Sequence, residues 1–303
     1  MFGKKNIAME FYRPKAAVGN SLTNNGKGVK ILTFASQKGG TGKTTSAQTL
    51  ATCFARYHNK RVLCVDLDPQ GSFGQGLLEN PPNTARTADR LLVVPNANIR
   101  EYIIQARPNL DLIPNLFQSD VREAIERAPF APNLLQRLLR PVMHNYDYIV
   151  IDTPAGMSRS TQFGLDVADQ INLVMSCGKY ALHGVSTMLD WFISHCHSRS
   201  KQLPGIRVIL NNFDSRRRFD RDFKDEVSYI FGEELYQTHI RPSVKIVEAA
   251  ANGTTVIEHS ENSGGAIDFK LLSREILGLP TDVAPQQPAV MAEVARHALR
   301  LVS

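Results

Sequence analysis

The stretch from Phe34 to Thr45, F-A-S-Q-K-G-G-T-G-K-T-T, constrains this chain more than any other. An apolar, β-branched run precedes it (Val29, Ile31, Leu32, Thr33, Phe34, Ala35). A helical pattern follows (Ala47, Leu50, Ala51, Phe54), so the spacing predicts a strand-to-helix turn. Gly39, Gly40 and Gly42 have no Cβ, which lets the backbone close around an oxyanion with its N–H groups pointing inward. The helix beginning near Lys43 adds free N–H groups and the positive end of its dipole. In such a loop Lys43 reaches the β- and γ-phosphates and the Thr44 hydroxyl coordinates Mg²⁺. The expected nucleotide ligands are therefore Gly39, Gly40, Thr41, Gly42, Lys43, Thr44 and Thr45. The common pattern G-x-x-x-x-G-K-[ST] is not met, because its first glycine position is Gln37 and an additional lysine, Lys38, stands at the front of the loop.

Two further motifs end in carboxylates. Arg61 to Val65 reads as a buried parallel strand and runs into Asp66-Leu67-Asp68-Pro69-Gln70-Gly71. Tyr146 to Ile151 reads as another and runs into Asp152-Thr153-Pro154-Ala155-Gly156. Carboxylates at the C-terminal ends of parallel strands lie over the crevice where α/β sheets bind ligands. Asp152 stands in a Walker B arrangement, an apolar strand delivering one carboxylate that can hold magnesium through water.

The loop K-G-G-T-G-K-T resembles the deviant Walker A loop of the ParA/MinD family of ATPases, and D-x-D-P-Q-G matches that family's second nucleotide motif. The resemblance covers roughly residues 29 to 280. It implies one α/β domain with a mostly parallel, doubly wound sheet and helices on both faces, a P-loop fold. It also implies that Lys38 reaches across a dimer interface to the partner's nucleotide, that Asp66 lies near the magnesium shell, and that Asp68 positions the attacking water. On this reading the catalytic residues are Lys38, Lys43 and Asp68, and Thr44, Asp66 and Asp152 form the metal environment. Many family members carry two prolines after the Walker B Asp, whereas Thr153-Pro154-Ala155 keeps one. After the expected strand Arg207 to Leu210, the family's strand end contacts adenine. That makes Asn211 a candidate for the base, with an amide capping the loop as the other reading. The stretch from Phe231 onward, with H-I-R-P-S-V-K-I-V-E-A, resembles the chromosome- and plasmid-partitioning branch. The resemblance makes Arg241 and Lys245, joined by Lys270, the DNA-contact candidates.

Composition sets the limits. At 303 residues, with 43% hydrophobic and 21% charged residues, the chain is an ordinary soluble globular protein, and its net charge of +6 permits attraction to polyanions. No apolar run reaches the ~18 residues of a membrane span. Lys4 and Lys5 are not followed by the apolar segment of a secretory signal. Cys53, Cys64, Cys177 and Cys196 lack metal or redox spacing and read as reduced core thiols of a cytoplasmic protein. Residues 1–28 carry Lys4, Lys5, Arg13, Lys15 and Lys27 against Glu10 and read as a flexible basic arm, either a DNA or partner contact or an unstructured leader. Residues 29–280 form the ATPase domain, with Trp191 expected in its core, and 281–303 read as a Pro-rich linker and short C-terminal helix. That helix has Val290, Met291, Val294, Ala298 and Leu301 on one side and no aromatics. Docking on the body or a partner therefore ranks above membrane binding. In 214–226 five basic residues meet five acidic ones, so a salt-bridged helix start competes with a nucleic-acid stripe.

Taken together, the motifs and the resemblance imply a cytoplasmic, nucleoid-associated ParA-like ATPase that uses ATP and Mg²⁺. It would dimerise on ATP, bind duplex DNA without sequence preference, and be stimulated by a ParB-like or cargo-adaptor protein. The alternatives are a MinD-like membrane-surface ATPase and a positioning ATPase for a non-DNA cargo.

Overall fold

The computed structural model describes residues 28–127, 131–178, 181–197 and 204–281. The expected N-terminal arm and C-terminal helix lie outside the described residues, apart from Gly28 and Thr281 at their inner ends. The strands are β1 Lys30–Ala35, β2 Val62–Asp66, β3 Ile104–Arg107, β4 Leu110–Ile113, β5 Tyr148–Asp152, β6 Gln170–Ser176 and β7 Gly205–Asn211. They form one sheet in the order β3-β4-β2-β5-β1-β6-β7, parallel throughout except for the antiparallel edge strand β3. The short β3 has an alternating, half-exposed pattern that did not stand out in the sequence; the rest of the sheet matches the expected doubly wound class.

Alternation along each strand sorts side chains onto two faces. In β5, Tyr148 and Val150 join the core on one face, while Ile149 and Ile151 join the core on the other. The first face is covered by α1 (Lys43–His58), the short α2 (Ser72–Gln75) and, late in the chain, α9 (Val244–Ala251), α10 (Val256–His259) and α11 (Gly264–Ile276), with Leu50, Phe54, Phe73, Phe269 and Leu272 buried among them. The second face carries α3 (Ala88–Val93), α4 (Ser119–Arg127), α5 (Leu134–Leu139) and α6 (Arg159–Val167). Burial on both faces is why these strands read as continuous apolar runs. Around β6 and β7 a third cluster packs α7 (Ala181–His197) and α8 (Arg218–Phe231) through Val185, Phe192, Phe223 and Val227. Trp191, expected in the core, is only partly buried at its margin, because the fully buried face of α7 is made by Val185, Met188, Leu189 and Phe192.

The chain leaves β1 for β2 on one side of the sheet and later reaches β6 on the other, so β1 lies at the point where the winding reverses. Ligands bind at such points, outside the carboxyl ends of the strands. The Gly-rich loop follows β1 directly.

Candidate nucleotide site

Gly42 sits at the N-cap of α1 with φ 81°, and Gly40 has φ 76°, both left-handed conformations that glycine adopts without strain. No acidic residue occupies the first turn of α1, which leaves its positive end uncompensated by a side chain of that turn. A Cβ added at Gly39 or Gly40 would meet nothing within 4 Å, so the front of the loop is open. Behind it, the Thr41 Oγ1 and Gln37 Oε1 atoms are buried without a hydrogen-bond partner, and both residues line a cleft that also includes Lys38, Met175, Ser176 and Cys177. An open cradle of backbone N–H groups, with the Thr41 hydroxyl able to donate, suits a phosphate chain, whereas Gln37 Oε1 is an acceptor and would need a donor.

The expected residues converge below the loop. Lys43, 6% exposed, donates to Asp152 Oδ1 at 2.7 Å, and Thr44 Oγ1 donates to Asp152 Oδ2 at 2.6 Å. Lys43 Nζ also lies 4.0 Å from Asp68 Oδ2. Asp66 and Asp152 are register partners on adjacent strands, which brings the second and third motifs side by side. Asp66 is fully buried and accepts the backbone N–H groups of Asp68 at 2.9 Å and Phe73 at 3.2 Å. Burial, with Asp152 beside it, pushes the Asp66 carboxyl well above the usual carboxylate range. Burial also raises Asp152, while Lys43 pulls it back down. Two buried carboxylates and a hydroxyl beside the cradle form a hard oxygen donor set, which fits Mg²⁺. Asp68 is turned into its own loop, accepting the Gln70 N–H at 3.0 Å. Lys38 is exposed at the front of the loop.

The contacts of three further residues did not stand out in the sequence. Thr153, directly after Asp152, donates its hydroxyl to Phe34 O at 2.9 Å and so ties the end of β5 to β1. Gln37 lies against Gly184 of α7, where an added Cβ would fall 2.5 Å from Oε1. Gln48 of α1 donates to Ser72 O and Phe73 O at 2.7 and 2.9 Å, fixing the turn that follows Asp68. In each case the partner is distant in sequence or is a backbone carbonyl. The only advance signal was a polar residue inside an apolar stretch or at a strand end.

The DNA-contact candidates are placed differently. Arg241 forms two hydrogen bonds to Asp268, at 2.8 and 2.7 Å. Lys245 lies 2.7 Å from Glu248. Lys270 lies 3.4 Å from Glu261 and 4.9 Å over the Tyr57 ring. Each cation thus has a carboxylate partner of its own. The 214–226 segment is the salt-bridged helix start, with Arg216 and Arg217 on Asp214 and Arg218 on Asp222. No described helix is long and apolar enough to cross a membrane.

A family profile described as an AAA domain matches residues 29–203. The chain is 34% identical over 251 residues to the sporulation initiation inhibitor protein Soj of Bacillus subtilis, covering 82% of this chain and 98% of Soj. It is 28% identical to the chromosome partitioning protein ParA of Myxococcus xanthus, covering 85% and 91% respectively. Among solved structures, a Borrelia burgdorferi protein assigned to plasmid partition and bound to AMPPNP superposes with a TM-score of 0.68 at 26% identity, covering 82% of this chain and 98% of that one. The MinD protein of Pyrococcus horikoshii, complexed with Mg-ADP, shares the fold with a TM-score of 0.68 at 22% identity, covering 82% of this chain and 96% of that one. With its loop, its paired carboxylates and these relatives, the chain belongs to the ParA/MinD family of P-loop ATPases.

Proposed function

We propose that this protein is a ParA-like partition ATPase that closes into a homodimer on ATP and binds DNA in that state. The observation that carries the reading is the placement of two lysines on one loop. Lys43 is buried against Asp152 and Thr44, and Lys38 is exposed at the loop's front. Lys43 serves its own protomer's phosphates and Lys38 serves its partner's.

Residues 39–45 hold the phosphates through backbone N–H groups, and Thr44, Asp152 and Asp66 hold Mg²⁺. Bound Mg²⁺ neutralises charge on the β- and γ-phosphates. Asp68 orients the attacking water and accepts its proton. Catalysis on this reading rests on positioning and charge neutralisation, with slow turnover stimulated by a ParB-like or cargo-adaptor protein. Loss of the γ-phosphate removes contacts that hold the dimer, and DNA is released. DNA contact is through phosphates and without sequence preference, with Arg241, Lys245 and Lys270 as its candidates once exchanged from their carboxylates.

Sedimentation tests the shared-lysine geometry. Wild-type protein should be monomeric with MgADP and dimeric with MgATP, and Lys38→Ala should bind ATP yet remain monomeric. A wild-type monomer under saturating MgATP, or a Lys38→Ala dimer of normal affinity, would contradict the reading.

A further inference from the structure

Asn211 ends β7, where the family resemblance offered it to the adenine base. In this structure its amide nitrogen is engaged with the Gly-rich loop. The Asn211 Nδ2 amide donates to Thr41 O at 2.6 Å, across 170 residues of sequence. The same nitrogen lies 2.1 Å from where a Cβ on Gly42 would stand, so the amide is packed against the bare α-carbon at the N-cap of α1. The backbone beneath it is fixed on both sides. Asn211 pairs with Ser176 of β6 and forms a bridge to Ile240.

A trans peptide unit holds its C=O and its N–H on opposite sides. Anchoring Thr41 O toward β7 therefore points the Gly42 N–H away from β7 and fixes the peptide that joins the loop to the first turn of α1. Gly42 has φ 81°, and it is this peptide that the loop rotates to reach the helix. We propose that Asn211 is a positioning residue for phosphate binding: it sets the orientation of the Thr41–Gly42 peptide rather than reading the base. The absence of a side chain at Gly42 is then required twice, for the left-handed turn and for the approach of this amide.

This inference rests on the nucleotide-binding reading above, and the two fail in distinguishable ways. The assay titrates wild type, Asn211→Ala and Asn211→Asp with a fluorescent methylanthraniloyl ADP, then competes the probe with ATP, GTP, ADP and AMP in the presence of Mg²⁺. Loss of one net hydrogen bond to the loop should weaken ATP and ADP by about fivefold in Asn211→Ala. Asn211→Asp keeps the size but faces Thr41 O with an acceptor, so its loss should be larger, about 30-fold. In both variants the ATP-to-GTP preference should match wild type, AMP should weaken less than ADP, and a single cooperative thermal transition without nucleotide should show that the fold is retained. A collapse of the ATP-to-GTP preference with phosphate dependence intact would make Asn211 a base reader and overturn the proposal. So would wild-type ADP affinity in Asn211→Asp. Failure of the wild-type protein to bind the probe at all would sink the nucleotide-binding reading itself.

Discussion

Replacing Arg241 by alanine separates a structural role from a DNA-contact role. The guanidinium is 57% exposed, but its partner Asp268 is only 6% exposed, and the two share hydrogen bonds of 2.8 and 2.7 Å. The Arg241 backbone N–H adds a third bond to the same carboxylate at 3.0 Å. In Arg241→Ala the carboxylate keeps the backbone donor and loses its counter-charge. Breaking a buried pair costs roughly 3–5 kcal/mol and an exposed one roughly 0–1. With one partner buried and the other half in water, about 2 kcal/mol is the working value. For a domain of this size each kcal/mol moves the thermal midpoint by roughly 2–4 °C, so the midpoint should fall by about 4–8 °C. Arg241→Lys retains the charge without the two-pronged geometry and should lose about half as much. In a double-mutant cycle, Arg241→Ala with Asp268→Ala should lose clearly less than the sum of the single changes. Calorimetry at one pH and salt concentration reads all of these. A midpoint for Arg241→Ala within about 1 °C of wild type would refute the anchoring argument and leave Arg241 free for DNA.

Two other perturbations follow from the site and the core. Asp68→Ala should bind MgATP and dimerise while its hydrolysis falls by about 100-fold or more; normal turnover in phosphate-release assays would remove Asp68 from the mechanism. His58 and His239 are both lowered below the ordinary histidine value, chiefly by burial and secondarily by Arg274 beside His58 and Lys224 beside His239. The unfolded chain therefore takes up more protons than the folded one as pH drops below about 6.5, and stability falls on acidification, by at most about 1.4 kcal/mol per pH unit for each group. Buried Asp66 and Asp152 are raised and act with the opposite slope. The test is accordingly the difference between wild type and His58→Gln/His239→Gln in urea unfolding at pH 7.5, 6.5 and 5.5. The variant should lose less stability than wild type across that range, and parallel losses would contradict the assignment.

The convergence of the candidate site's residues was legible because each of its three motifs is contiguous. A loop, a strand end and a second strand end each carry their chemistry within a few residues, and a parallel sheet brings strand ends together without further instruction. That Asp66 and Asp152 are register partners follows from strand order, which no local pattern encodes. Contacts spanning many residues were not legible. The amide of Asn211 on Thr41, Gln37 on Gly184, and Arg241 on Asp268 each join segments whose proximity only the finished fold supplies. The basic candidates show the same limit. Lysines and arginines in a row announce charge, but Asp268, Glu248 and Glu261, which neutralise three of them, sit on other turns or other helices. The edge strand β3 did not stand out because only alternate residues of its I-Q-A-R are apolar and none is fully buried, so it lacks the continuous apolar run of the central strands.

Binding of the purified protein to random-sequence duplex DNA, with MgATP, with MgADP and without nucleotide, tests the central claim of ATP-gated DNA binding most directly. Binding with MgATP alone, falling steeply between about 50 and 200 mM salt, is the predicted result. Equal binding in all three nucleotide states, or none in any of them, would contradict it.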